Sequence, residues 1–358
     1  MIELIRRLDP ARFRVHVACF ERSGAWLPRV AERAASIAEF PISGFARPGT
    51  LAQLLAFARW CRRERIAVVQ TCDFYANILG LPGAALACVP VRIGSRRELN
   101  PDKTQRQIFL QRQAYRAATK VVANSAAARR MLEQEGLETA SIAVIPNGVD
   151  AWTYPDRSGE TATRASRSLI TVANLRPEKG HETLIAAVGM LVGEFPNLEL
   201  TIVGSGPRRA ELDALVRAMH LQKHIAFLGH REDVASLLAQ SDVFVLPSRS
   251  EAFPNGAIEA MAAGLPTIAS AVGGLIDLIE DGRTGVLVAP GDAESLAAAI
   301  RRILTDPQAA ARMGATARAH VRERYSFERM VGAFEALYLA SLPSRSFTRA
   351  QRAEAAGI

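Results

Sequence analysis

The stretch VFVLPSRSEAFPNGAIEAMAAGLPTIAS, residues 243–270, contains a strand, a loop, a helix and a second strand in succession. VFVLP is a short continuous apolar run, the mark of a strand buried on both faces. PTIAS repeats that mark after NGAIEAMAAG, an alanine-rich helix that ends at Gly264, a natural C-cap. Two buried strands joined by a helix make a parallel crossover. The loop before the helix then lies at the carboxyl end of the first strand, where open parallel sheets take their ligands. Glu251 stands in that loop and Glu259 in the helix. A packing element needs neither. Pro254 suits the first helical position. The backbone N–H groups near Phe253, Asn255 and Gly256 are left to bind hydroxyls or phosphate oxygens. Two carboxylates beside them suit a polyhydroxylated ligand. The simpler readings are helix-dipole stabilisation for Glu251 and an exposed helix face for Glu259, and the placement after a strand weighs against both.

The same rhythm runs along the chain. Strand candidates at 13–20, 67–71, 91–95, 120–125 and 142–146 alternate with amphipathic segments such as 51–65 and 104–118. Alternation resumes with candidates at 168–175, 198–204, 225–229, 243–247, 266–270 and 285–289. Between the two series, residues 150–168 are polar and lose periodicity, as a linker does. The pattern predicts an α/β protein of two Rossmann-like, doubly wound parallel-sheet domains facing a cleft. The expected divisions are an N-terminal domain over 1–149, a C-terminal domain over 150–325, a helix over 326–343 returning to the N-terminal domain, and a loose tail over 344–358. The opening residues, MIELIRRLDP, read as helix, whereas a doubly wound sheet has its first strand at the centre. The expectation is therefore that the first strand of the N-terminal domain and its Gly-rich turn are missing; a rearranged sheet is the alternative.

Composition sets bounds. Of 358 residues, 49% are apolar and 22% charged, ordinary for a globular protein with a core in each half. The net charge of +8 is uneven: residues 1–150 hold 22 Lys and Arg against 13 Asp and Glu, and the remainder 22 against 23. A basic first half fits an anionic partner such as a membrane surface or phosphorylated lipid, or else a solvated arginine-rich face. Nucleic acid is disfavoured, because aromatics are only 6% of the chain and are not interleaved with the cations. Cys19, Cys61, Cys72 and Cys88 form no CxxC pair and join no histidine cluster, which fits a reduced, cytoplasmic protein without a zinc site. The apolar run at 78–91 is short for a bilayer and holds prolines, so any membrane contact is expected to be peripheral.

Three further turns follow strands. In VANLRPEKGHETL (172–184), Arg176, Lys179 and Gly180 precede an amphipathic helix, an arrangement that can clamp a diphosphate or simply cap a helix with surface charge. VGSGPRRAEL (203–212) places Gly204 and Gly206 in a strand–turn–helix but lacks the third glycine of the dinucleotide fingerprint. Gly273 and Gly274 precede a helix, where backbone can approach phosphate closely. Of the histidines only His181 lies in such a stretch, as a helix-start residue rather than a catalyst.

Lys179–Gly180, GSGP at 204–207, EAFPNGAIEAMAAGLP at 251–266, the glycines between 273 and 288 and PNGVD at 146–150 together resemble one family. It is the retaining nucleotide-sugar glycosyltransferases of the GT-B fold, glycosyltransferase family 4 or "glycosyl transferases group 1". The resemblance covers about residues 120–343, and the two glutamates eight residues apart are its specific part. It implies transfer of a sugar, with retention, from a nucleotide-sugar to an acceptor in polysaccharide, lipopolysaccharide or glycolipid synthesis, with no cofactor and no metal. It implies that Lys179 and a nearby arginine hold the donor diphosphate, that Glu251 meets the donor sugar and that Glu259 binds the ribose. Gly229–Arg231 would lie by the base.

The sequence departs from the family in three places. Asn174 stands where the family carries arginine, so Arg176 is expected to take that role. No histidine follows the third or fourth strand; Cys72 and the pair Arg96–Arg97 stand there, and Arg96 or Arg97 is expected to contact phosphate on the acceptor side. The Gly-rich loop after the first strand is absent. The expected partners are a nucleotide-sugar, a lipid-linked or saccharide acceptor and an anionic membrane at the inner face of the cytoplasmic membrane. A degenerate paralogue that binds nucleotide-sugar without turnover is the main rival. A GT-B epimerase or phosphorylase ranks lower, for want of an evident acid–base pair.

Overall fold

The structure is a computed structural model and describes residues 1–42, 44, 48–99, 103–154 and 167–343. Its N-terminal elements are α1 (Ile2–Arg7), β1 (His16–Cys19), α2 (Leu27–Ala31), β2 (Ser36–Glu39), α3 (Pro48–Arg63), β3 (Val68–Gln70), α4 (Phe74–Leu86), β4 (Val91–Arg96), α5 (Gln105–Tyr115), β5 (Lys120–Ala123), α6 (Ala126–Gln134) and β6 (Ile142–Val144). Asp73, Thr104 and Ser125 cap α4, α5 and α6 through their side-chain oxygens, which fixes where each helix leaves its preceding loop. Strands β3 to β6 make one parallel sheet in sequential order. β1 and β2 make a separate parallel pair. Among the described residues no backbone pairing joins the two sheets, so the domain is interrupted between β1–β2 and β3–β6, as expected if the central strand is missing.

The C-terminal elements are β7 (Arg167–Val172), α7 (His181–Leu191), β8 (Leu198–Val203), α8 (Arg209–Ala218), β9 (Ile225–Gly229), α9 (Val234–Ala239), β10 (Val243–Leu246), α10 (Asn255–Ala262), β11 (Thr267–Ser270), α11 (Gly274–Leu278), β12 (Val286–Val288), α12 (Ala293–Thr305), α13 (Pro307–Arg324) and α14 (Phe327–Ser341). Six parallel strands stand in the order β12-β11-β10-β7-β8-β9. Alternate strand residues divide between two cores. Leu169, Leu200, Val243 and Val245 meet Leu184, Val188 and Ile300 on one face. Ile170, Val203, Phe244 and Leu246 meet Ile258, Met261 and Val321 on the other. Covering on both faces explains the unbroken apolar runs.

The chain passes between domains twice, and the passages touch. The Val149 N–H donates to the Tyr325 carbonyl at 2.9 Å, and Val149 bridges Ser326 in parallel. Beyond this point α14 lays Met330, Val331, Phe334 and Tyr338, one helix face, into the N-terminal core beside Leu4, Val91, Ile93 and Val122. Residues 155–166 of the expected linker and the tail 344–358 lie outside the described residues. No helix among the described residues is long and apolar enough to cross a membrane.

Candidate functional site

The strand order of the C-terminal sheet reverses between β7 and β10, so the loops leaving their carboxyl ends diverge and open a crevice. Lys179 ends a 3₁₀ turn after β7, and Glu251 lies on the loop after β10. Lys179 Nζ donates to Glu251 Oε2 at 2.5 Å, and Ser248 Oγ donates to the same oxygen at 3.3 Å. Glu251 is only 8% exposed. Glycines hold this loop from both sides. Gly180 has φ +64°, and a Cβ on it would stand 2.2 Å from the Pro247 carbonyl oxygen. Gly273, at φ +51°, would bring a Cβ to 1.8 Å from the Glu251 carbonyl oxygen. Only glycine fits either place. The Gly274 N–H donates to that same Glu251 carbonyl at 2.9 Å.

Helix α10 begins at Asn255. Pro254 is extended, at φ −89° and ψ 95°, and is the N-cap rather than the first helical residue expected from the sequence. With the proline outside the helix, Asn255 and Gly256 become its first amides. No hydrogen bond from the amides of Phe253, Asn255 or Gly256 is seen among the described residues, as befits groups that precede the first intrahelical donor. Glu259 lies about one turn further along. Burial pushes its carboxyl up to about 7, and no hydrogen bond to it is seen among the described residues. It is therefore a half-desolvated acid with open valences, not a solvent-facing helix residue. Burial first, and the Glu259 charge second, hold the nearby Tyr154 phenol above its ordinary value.

The glycine turn at 204–206 packs against the loop after β7. Leu175 N–H donates to Ser205 O at 3.0 Å, and Gly204 N–H to Gly229 O at 2.8 Å, which brings Gly204, Gly206 and Gly229 to the same end of the sheet. His181 is buried with Nε2 3.1 Å from the Asn174 carbonyl, and burial lowers its pKa, so it supports the turn as a neutral ring. Of the two arginines, Arg176 was expected at the diphosphate and Arg231 by the base. Arg176 is more than half exposed, with Glu178 at 4.0 Å, and Arg231 pairs with Asp233 at 2.6 Å. Sequence reasoning missed Ser248, the hydroxyl on Glu251, and Arg249. The Arg249 N–H donates to the Glu178 carbonyl at 2.7 Å, and its guanidinium pairs with Glu182 at 2.6 Å. A plain SRS loop gave no signal for either. Among the described residues no three His, Cys, Asp or Glu side chains gather as metal ligands would.

Across the cleft, a cavity of about 330 Å³ is bounded by Cys72, Phe74, Arg97 and Asn124 of one domain and by Phe253 and Asn255 of the other. Asn147, at the first interdomain passage, ties the two walls. Its Nδ2 donates to Asn255 Oδ1 at 2.8 Å, and its Oδ1 accepts from Arg97 Nη2 at 2.7 Å. A second tie lies at α11, where Asp277 Oδ2 accepts from the Ala126 and Ala127 amides at the start of α6, at 2.9 and 3.4 Å. Arg96 and Arg97 behave differently. Arg96 is 1% exposed and forms a buried ion pair with Glu135, with Gln111 as a second partner. Its charge is met by Glu135 inside the N-terminal domain, although the residue also borders the cavity. Arg97 faces the cavity.

Comparisons with known proteins divide the chain at the same passage. Residues 157–320 match the family model described as glycosyl transferases group 1, and residues 1–152 match that of glycosyltransferase family 4. Over 204 residues the chain is 37% identical to a glycogen synthase of Mycobacterium tuberculosis, covering 56% of this chain and 49% of that protein. It is 28% identical to a D-inositol 3-phosphate glycosyltransferase of Streptomyces scabiei, covering 96% of this chain and 85% of that protein. The chain spans about half the length of the first curated relatives it matches. In fold it is similar to HepE of Anabaena in complex with UDP-glucose, with a TM-score of 0.83 and 24% identity over 95% of this chain and 94% of that one. It is also similar to a sucrose-phosphate synthase of Thermosynechococcus elongatus, with a TM-score of 0.73 and 26% identity over 85% and 82% of the two chains.

Proposed function

We propose, for a chain that belongs to the GT-B glycosyltransferases of group 1, that it transfers a glycosyl unit from a nucleotide-sugar to an acceptor held in the facing domain. The observation that carries this reading is the Lys179–Glu251 pair at the mouth of the β7–β10 crevice, backed by unbonded α10 amides and by close-packed glycine turns. In the proposed complex the Glu251 carboxylate accepts the hydroxyl protons of the donor sugar. The α10 amides and Lys179 face the pyrophosphate. The ammonium stabilises the charge that develops on the departing nucleoside diphosphate, in the place a divalent cation would otherwise take. The carboxyl of Glu259 accepts from the ribose diol, and Gly229–Arg231 lie toward the base. Transfer with retention at the anomeric carbon is part of the proposal. So are an acceptor in polysaccharide, lipopolysaccharide or glycolipid synthesis and attachment of the basic N-terminal half to anionic lipid at the cytoplasmic membrane.

The test is a panel of nucleotide-sugars scored by thermal stabilisation of the full chain, followed by a nucleoside diphosphate release assay with the one that binds. A ligand at 100 times its dissociation constant adds about 2.7 kcal/mol. No stabilisation by any member of the panel at millimolar concentration sinks the reading. Separation of β1–β2 from β3–β6 favours one rival, a protein that binds the donor without turnover. Stabilisation without nucleotide release in the presence of candidate acceptors would select it.

A further inference from the structure

Arg96 ends β4 and Arg97 follows it, and the fold treats the two arginines differently. Arg96 also borders the cavity but is 1% exposed and is given Glu135. Arg97 points into the cleft and has no carboxylate within ion-pair distance among the described residues. Among the described residues its guanidinium bonds neutral groups, Asn147 Oδ1 at 2.7 Å and Met1 Sδ at 3.5 Å. Burial holds its pKa below the usual arginine value. A desolvated cation without a counter-charge is costly, and a purely structural contact to Asn147 needs no charge.

The surrounding wall is also incomplete. Ser95 and Asn124 are each 3% exposed and line the same cavity, and among the described residues Ser95 Oγ and Asn124 Oδ1 have no hydrogen-bond partner. Arg96 Nε, behind them, has none either. The carboxylates that do line the cavity, Asp73 and Glu98, are exposed at its edge, and neither pairs with Arg97. Asp73 is occupied in capping α4, where it accepts from the Ala76 amide at 2.8 Å.

Resting on the reading of this cleft as a glycosyl-transfer site, we propose that the acceptor carries an oxyanion, a phosphate or a carboxylate, that is bound by Arg97. Ser95 and Asn124 receive the acceptor's neutral hydroxyls. Binding then supplies the counter-charge that the fold withholds, and it does so beside the donor loop, because Arg97, Asn147 and Asn255 form one hydrogen-bonded chain across the cleft. A guanidinium binds such an anion through two parallel N–H donors, which orients the acceptor as well as attracting it.

The test is calorimetric titration of the full chain with three probes of one skeleton: sn-glycerol 3-phosphate, D-glycerate and glycerol. One or both anions should bind at least about tenfold more tightly than glycerol, and the better anion identifies the acceptor group. Arg97→Gln and Arg97→Met should abolish the preference, Arg97→Lys should keep part of it, and Lys179→Ala should leave it intact. Equal binding of all three probes, including no binding by any of them, overturns the proposal. Loss of the preference in Lys179→Ala with retention in Arg97→Gln also overturns it, by locating the anion at the donor centre. If the Arg97 variants fail to fold by circular dichroism, the wild-type preference and its survival in Lys179→Ala decide. Parallel titrations with UDP, GDP and ADP report on the donor reading separately. Failure of all three nucleotides in a protein that still prefers the anions would count against glycosyl transfer and not against the Arg97 subsite.

Discussion

Glu259→Gln turns the most perturbed acid of the crevice into a measurement. Burial raises the Glu259 carboxyl to about 7 in the folded protein, against 4.5 in an exposed chain. The folded state therefore holds a proton that the unfolded state releases between those two pH values. Stability linked to this group is highest below pH 4.5, falls as pH rises through the window and is fully lost above about pH 7. The difference between the two pKa values corresponds to about 3 kcal/mol at pH 8. Glutamine keeps the shape and cannot ionise. The variant should thus lie within about 1 kcal/mol of wild type at pH 5 and exceed it at pH 8 by ~3 kcal/mol in urea unfolding, or by roughly 6–12 °C in Tm for a domain of this size. Nucleotide-sugar binding should weaken in the same variant, because an amide accepts a diol less well than a carboxylate. A second readout comes from wild type alone. If ribose hydroxyls donate to the ionised carboxylate, donor binding at pH 6 should release close to one proton, seen as a dependence of binding heat on buffer ionisation enthalpy. A Glu259→Gln effect that is the same at pH 5 and pH 8, together with no proton release, would refute the reasoning.

Three other substitutions probe the frame around that acid. Lys179→Ala should reduce transfer by about 10²–10³-fold, the loss of one preorganised charge contact at the leaving group; steady-state nucleotide release measures it, and an unchanged rate removes Lys179 from the mechanism. Gly273→Ala forces a Cβ to within 1.8 Å of the Glu251 carbonyl oxygen, so the acidic loop must move and nucleotide-sugar binding should be lost; binding at wild-type affinity would show that the loop position is immaterial. Glu135→Ala leaves the Arg96 guanidinium buried and unpaired and should cost about 3–5 kcal/mol, read by denaturant unfolding. A cost under ~1 kcal/mol would mean that water reaches Arg96.

Much of the architecture was legible because buried parallel strands write themselves as unbroken apolar runs. Val243–Leu246 stands where such a run occurs, whereas Leu198–Val203 is broken by the exposed Glu199. Strand β2 was missed. Ser36–Glu39 is four residues long, only partly buried and begins and ends on polar residues, so neither alternation nor an apolar run marks it. The acidic pair of the site was legible from its place after β10, and the Lys179 turn from its place after β7. Their contact was not, since 72 residues separate them. Arg96 and Arg97 show the same limit. Adjacent residues of extended chain face opposite ways, which predicts that Arg96, the last of β4, and Arg97, just past it, diverge. Which of them meets a carboxylate depends on Glu135, at the far end of α6. Glu259 was legible as a ligand-binding candidate, but its burial was not, because its neighbours along the helix do not reveal what covers it. Pro254 was displaced by one residue, within the ordinary uncertainty of a helix boundary.

The two interdomain passages run alongside each other and are bonded at Val149 and Tyr325. Paired ribbons of this kind bend readily across their common plane and resist shear or torsion. Any opening of the cleft is therefore expected to be a single-axis swing that keeps Asn147 opposite Asn255, rather than a slide that changes their register. The same pairing makes the halves inseparable by simple truncation. A fragment ending at 149 would lack the anchor of Met330, Val331, Phe334 and Tyr338 and leave an apolar trench along its sheet. It should precipitate unless residues 327–341 are supplied in trans.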